Sequence, residues 1–250
     1  MIHSIHSVLF ASAILYIISF AAIVTGKEQL SLVTLIIGLI THSVYLLLRI
    51  FMSGYPYLQG AFDSVFLTPW TIAVILILLY YRYNNYTIFY ATVILIIAVL
   101  LSLLYPKGII PPSPNKSTYL AYIFFMLESL AISLFYISGF YSALYLLQTD
   151  SDYFNFSYKC IIYGFLLYSA AQFVGALWCY AGWGIYFKWS PRHLHSALIW
   201  VLYINFLHLK YIPDFTNRKK SVYALACSLI TFIFYISSYL HEYNIPRIGN

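Results

Sequence analysis

The sequence predicts an all-α fold, a polytopic membrane protein of about eight transmembrane helices, and three observations predict it. Of its 250 residues, 62% are hydrophobic and only 8% are charged, against about 25% charged in soluble domains. The apolar residues gather in stretches of roughly 20, the length that crosses a bilayer core as a helix. These stretches do not alternate apolar and polar positions, which excludes a spanning barrel and leaves helices to satisfy the backbone in lipid.

The expected spans follow in order. Residues 8–25 form an apolar run without a charge, ended by Gly26 and Lys27. No basic segment precedes it, so it reads as a span rather than a cleaved signal. Residues 29–52 carry one mid-span histidine, His42, whose expected role is a hydrogen bond to a neighbouring helix. Residues 64–82 and 86–105 follow, the first after the Gly- and Pro-bearing stretch 53–63 and the second before the four-proline stretch 105–116. Residues 118–148 exceed the bilayer and must tilt or project; they hold Glu128, the clear acid inside a span. The last spans are 157–178, 194–212 and 219–240. Residues 1–250 thus read as one membrane domain, with an external Trp-rich loop at 178–193.

Charge gives the orientation. The net charge is +6, but the basic residues are scattered through short loops, which points to anionic lipid rather than nucleic acid. The cluster Lys210 and Arg218–Lys220 assigns its loop to the cytoplasm. The Trp-rich loop and both termini then lie on the outer side. Cys160, Cys179 and Cys227 are far apart and form no CxxC, so they read as small packing residues. His3 and His6 precede the first span and read as solvated.

Four of the five tryptophans fall within 23 residues: Trp178, Trp183, Trp189 and Trp200. Gly182 and Gly184 lie among them, where they should interrupt a rigid helix. Flat apolar rings on a membrane-level loop suit a planar apolar ligand such as a porphyrin, although an interfacial aromatic belt has the same composition. His208 lies about 24 Å of helix from the outer end of its span, and His241 returns to the outer side. Imidazole is a common iron ligand, so an inner and an outer histidine flank one aromatic loop.

Residues 175–200, GALWCYAGWGIYFKWSPRHLHSALIW, resemble the tryptophan-rich signature of the cytochrome c assembly protein family (CcsA/ResC-like and HemX-like proteins). Trp178, Trp183, Gly184, Tyr186, Trp189 and Pro191 stand at its spacing. Residues 48–70 resemble a second family stretch through Arg49, Ser53, Gly54, Pro56, Ser64, Phe66 and Trp70, with Asp63 replacing a Glu. FLHLK (206–210) matches at the family's transmembrane histidine, His208. SSYLHEY (237–243) matches at one of its two external haem-ligating histidines, His241.

The resemblance implies a haem b-binding, haem-presenting protein of cytochrome c biogenesis. It implies Trp178, Trp183 and Trp189 as the porphyrin platform, with His241 and His208 as outer and inner iron ligands. Apocytochrome c and a CcsB/ResB-like membrane protein are the implied partners, in a bacterial plasma membrane or a plastid thylakoid. The departures are specific. Ser190, Arg192 and His193 replace the signature's Asp, Lys and Glu, and Phe124 stands where the second external histidine is expected. Three outcomes follow: substitution by His193 or His195, substitution by Glu128, or simple loss of that ligand. The rival readings are a HemX-like regulator or scaffold without haem ligation, and a small-molecule transporter, for which no repeated half or paired broken helices are visible.

Overall fold

The computed structural model describes residues 2–53, 60–83, 85–105, 108 and 118–243, with the backbone alone at 2–4, 60–63, 86–87 and 239–243. The regular structure among them is helical throughout, in eight α-helices: α1 Ile2–Val24, α2 Glu28–Ser53, α3 Gly60–Tyr83, α4 Thr92–Leu104, α5 Tyr119–Gln148, α6 Ser151–Trp183, α7 Pro191–His208 and α8 Asn217–Tyr243. A 3-10 turn, Tyr86–Ala91, leads into α4, and another, Leu209–Tyr211, follows α7. Six of these helices are long and apolar enough to cross a membrane; Ile88–Leu104 is a shorter apolar helix, and α7 is not among the six. The chain is a polytopic all-α integral membrane protein. Gly54–Tyr57, Pro106 and most of the four-proline stretch lie outside the described residues.

Local chemistry sets the helix ends. Thr118 and Asp150 cap α5 and α6 through side-chain bonds to Ala121 N (3.3 Å) and Asp152 N (2.9 Å). The α5–α6 turn is only Thr149–Asp150, with Thr149 left-handed at φ 54°. Gly184 closes α6 at φ 73°, a conformation in which a side chain would be strained. Pro191 opens α7, where a missing N–H costs nothing.

The described residues divide into two compact units: residues 1–117 with 243–250, and residues 118–242. In the first, α1 and α2 meet along small residues, as is common between membrane helices. Gly38 lies against the Tyr16 ring, and Ser19 Oγ donates to the Ser31 carbonyl at 2.8 Å. His42 is fully buried, and its Nδ1 lies 3.3 Å from the Tyr16 hydroxyl, the expected bond to a neighbouring helix. Trp70 Nε1 donates to Ser43 Oγ at 2.8 Å, tying α3 to α2. One expectation fails in this unit. His6 is not solvated: it belongs to α1, is buried, and its ring lies 5.9 Å from that of Tyr45. Arg49, near the end of α2, is buried, with its guanidinium 4.4 Å over the Phe66 ring.

In the second unit, Ala131, Phe135, Ile161, Tyr168, Tyr203 and Cys227 share one core drawn from α5, α6, α7 and α8. Its centre is a stack of Phe135 on Tyr203, centroids 3.5 Å apart and planes 7° apart. Small residues again permit close approach: Gly139 faces Ser228, Gly164 faces Phe135, and Ser142 Oγ meets Ser157 Oγ at 2.7 Å. Cys160, Cys179 and Cys227 are free and buried, as packing residues. The sequence boundary 157–178 proves short at both ends. The helix begins at Ser151 because Asp150 caps it, and runs to Trp183 because Gly182 keeps helical backbone and only Gly184 turns the chain.

Candidate functional site

The Trp-rich segment joins two helices, and its geometry corrects the expected loop. Trp178 and Trp183 ride on the last turns of α6, residues 184–190 form the connection, and Pro191 starts α7. Glycine tolerates the helical geometry of the preceding residues, so Gly182 does not break α6; the left-handed Gly184 does. Trp200 does not join the segment. Its Nε1 donates to Ser169 Oγ at 3.0 Å and its ring packs 5.5 Å from Phe165, inside the α6–α7 contact.

Two layers distinguish the remaining tryptophans. Trp178 is half-buried, its ring 5.8 Å from Phe124, 5.7 Å from Phe125 and 5.8 Å from Trp183. The Trp178 and Trp183 planes stand at 69°, so the two indoles form a corner rather than a flat table. Beyond them the chain is open. Trp183, Ile185, Tyr186 and Phe187 are exposed, and Trp189 is 84% exposed with its ring 5.2 Å from Phe187. Tyr186 stacks on Tyr180 at 4.5 Å, which folds the connection back on α6. Lys188 Nζ lies 5.7 Å over the Trp183 ring.

The substituted positions have new partners. Phe124 fills the space over Gly175, where an added Cβ would come within 2.9 Å of its ring; a phenyl ring supplies no iron ligand there. Glu128, one turn further along α5 and buried, lies 3.5 Å from the Arg192 guanidinium at the start of α7. That guanidinium also sits 5.0 Å over the Phe125 ring. His193 Nδ1 bonds Ser190 Oγ at 2.8 Å. Burial first, then the charges of Arg192 and Lys188, holds its imidazole below the usual histidine range. His195 turns away from the connection and stacks on Phe234 of α8 at 4.4 Å and 5°.

The two candidate histidines His208 and His241 lie on different helices, α7 and α8. His208 is exposed at the far end of the 18-residue α7 from Ser190, about 25 Å away along the helix. Its Nδ1 lies 2.8 Å from the Ile204 carbonyl and must donate to it. In the neutral ring Nε2 then carries the lone pair at an exposed position, the nitrogen by which an imidazole would hold a metal. His241 lies in the last turns of α8, seven residues beyond Phe234, where its imidazole falls outside the described side chains. The helix path takes its backbone to the end of the unit that holds the Trp-rich segment, since Phe234 already meets His195 near the start of α7.

An exposed imidazole and a continuous exposed aromatic segment both fit a porphyrin; Phe124 does not contribute to it. Among the described residues, no three His, Cys, Asp or Glu side chains cluster as a protein-only metal site. Sequence reasoning missed the Glu128–Arg192 partnership, Phe125 and the Gly175 recess. The one signal for the pair was complementarity: a lone acid within a span calls for a cation.

Residues 58–243 match the family whose description is "Cytochrome C assembly protein". Among curated proteins, the chain is similar to the "Cytochrome c biogenesis protein CcsA" of Prochlorococcus marinus (strain MIT 9303), 28% identical over 82 residues, 33% of this chain and 26% of that protein. The protein of the same name from Cyanophora paradoxa is 29% identical over equal shares. That of Synechococcus sp. (strain CC9605) is 27% identical over 90 residues, 36% of this chain and 30% of that protein. The alignments thus span less than a third of each relative's length.

Proposed function

The chain belongs to the cytochrome c assembly protein family, and from that premise we propose that it is a haem-handling membrane protein of cytochrome c biogenesis. It presents haem b on the outer side to apocytochrome c, in a bacterial plasma membrane or a thylakoid, beside a CcsB/ResB-like partner. The observation that carries this reading is the exposed aromatic segment 183–189 held between α6 and α7, at the spacing of the family signature. Trp183 and Trp189 offer apolar ring surface, and Trp178 braces the corner beneath them. His208 and His241 are the imidazoles assigned to the iron, inner and outer. The outer assignment rests on the resemblance and on the course of α8.

The protein's part is to bind, orient and exclude water. His208 presents Nε2 because the Ile204 carbonyl holds its other nitrogen. The exposed rings cover an apolar face from water and set its angle toward an incoming peptide, so the contribution is positioning. When bound, haem supplies the reacting vinyl groups to which the thiols of an apocytochrome CxxCH segment add.

A second reading, a HemX-like regulator or scaffold without haem ligation, is favoured by one observation: Phe124 occupies the second ligand position and seals it against Gly175. A haem spectrum of the protein purified in mild detergent separates the two. Haem presentation expects a Soret band that weakens in His208→Ala and His241→Ala and broadens in Trp183→Ala. A wild type expressed with ample haem that never carries it supports the scaffold.

A further inference from the structure

We propose that Glu128 and Arg192 are positioning residues that fasten the tryptophan segment to α5, replacing the tie a ligand from α5 would give. The inference rests on the haem-presenting reading for its purpose, but not for its geometry. Residues 184–190 leave α6 through a left-handed glycine and re-enter helix at Pro191. Trp183 and residues 185–189 are exposed, and the ring contacts of this span run to Tyr180 of α6, within the span and to His193 of α7. Arg192 is the second residue of α7, so whatever holds it holds the end of the segment.

Two of the contacts of Arg192 reach α5. Its guanidinium lies 3.5 Å from the Glu128 carboxylate, whose side chain is 11% exposed, and its flat face covers Phe125 at 5.0 Å. Phe125 in turn meets Trp178 at 5.7 Å, and Trp178 meets Trp183 at 5.8 Å. One run of contacts therefore leads from a carboxylate in α5, through a cation and two rings, to the segment's first exposed indole. The planar guanidinium suits both partners at once, which a lysine ammonium does not. A buried carboxylate without its cation is costly, so the pairing resists parting.

Hydrogen exchange in the haem-free, detergent-purified chain tests this. The amides of Gly184, Ser190 and Leu194 are bonded to Tyr180, Lys188 and Ser190 carbonyls. In Glu128→Gln, Ser190 and Leu194 are expected to exchange at least tenfold faster, while amides around Ser142 and Ser157 stay unchanged. Arg192→Lys is expected to fall between, and the swapped pair Glu128→Arg with Arg192→Glu to recover protection. Unchanged exchange in both single variants overturns the proposal, as does equal loosening of the whole unit. In protein that carries haem, Glu128→Gln is further expected to lower the Soret absorbance per chain at least twofold. A wild type without haem would remove the haem-presenting reading and leave the exchange result to decide the tie.

Discussion

The ring of Phe124 lies 5.8 Å from that of Trp178, tilted by 35°, and covers Gly175. A small residue on α6 thus makes room for a large one on α5, at the position where the sequence resemblance leads one to expect an imidazole. Phe124→His places a nitrogen ligand in that recess. The substitution is expected to raise the haem retained per chain at least twofold, read from the Soret absorbance of purified protein. Retention no better than wild type would show that the recess faces away from the haem.

Gly139 and Ser228 set the approach of α5 to α8, because an added Cβ at 139 would overlap Ser228 Oγ and Cβ. Gly139→Ala is expected to cost about 1–3 kcal/mol through overpacking. Ser228→Gly in the same chain is expected to restore most of it. The measurement is unfolding by denaturing detergent, read as a double-mutant cycle; strictly additive losses would deny the contact.

The stack of Phe135 on Tyr203 is the centre of the 118–242 unit. Tyr203→Ala opens a cavity between α5 and α7 and is expected to cost about 3–5 kcal/mol. Tyr203→Phe keeps the ring and is expected to cost much less. The same unfolding titration distinguishes them, and equal losses would argue for the hydroxyl over the stack.

His193 gives a pH dependence. Its imidazole is held below the usual histidine range by burial and by Arg192 and Lys188. An unfolded histidine, near 6.5, therefore takes a proton at a pH where the folded one resists it. Stability from this residue is present above about 6.5 and falls as pH drops below it toward the lower folded value. His193→Gln is expected to flatten the unfolding midpoint between pH 7 and 5. A wild-type midpoint already flat over that range would contradict the shift.

How legible the chain was follows from which forces act locally. The sequence by itself determined the membrane fold and its helices: α2, α5 and α8 begin and end within three residues of the predicted spans, because apolar length and capping residues are written consecutively. It also determined the aromatic composition of the Trp-rich segment. Only the tertiary structure decided that Trp200 serves the core, that His6 and Arg49 are buried, and that Glu128 meets Arg192. Those outcomes depend on how each helix is rotated about its axis. In a chain apolar on nearly every face, hydropathy carries almost no information about rotation. Small residues and a few complementary polar groups choose it, across separations of 60 residues or more in the case of Glu128 and Arg192.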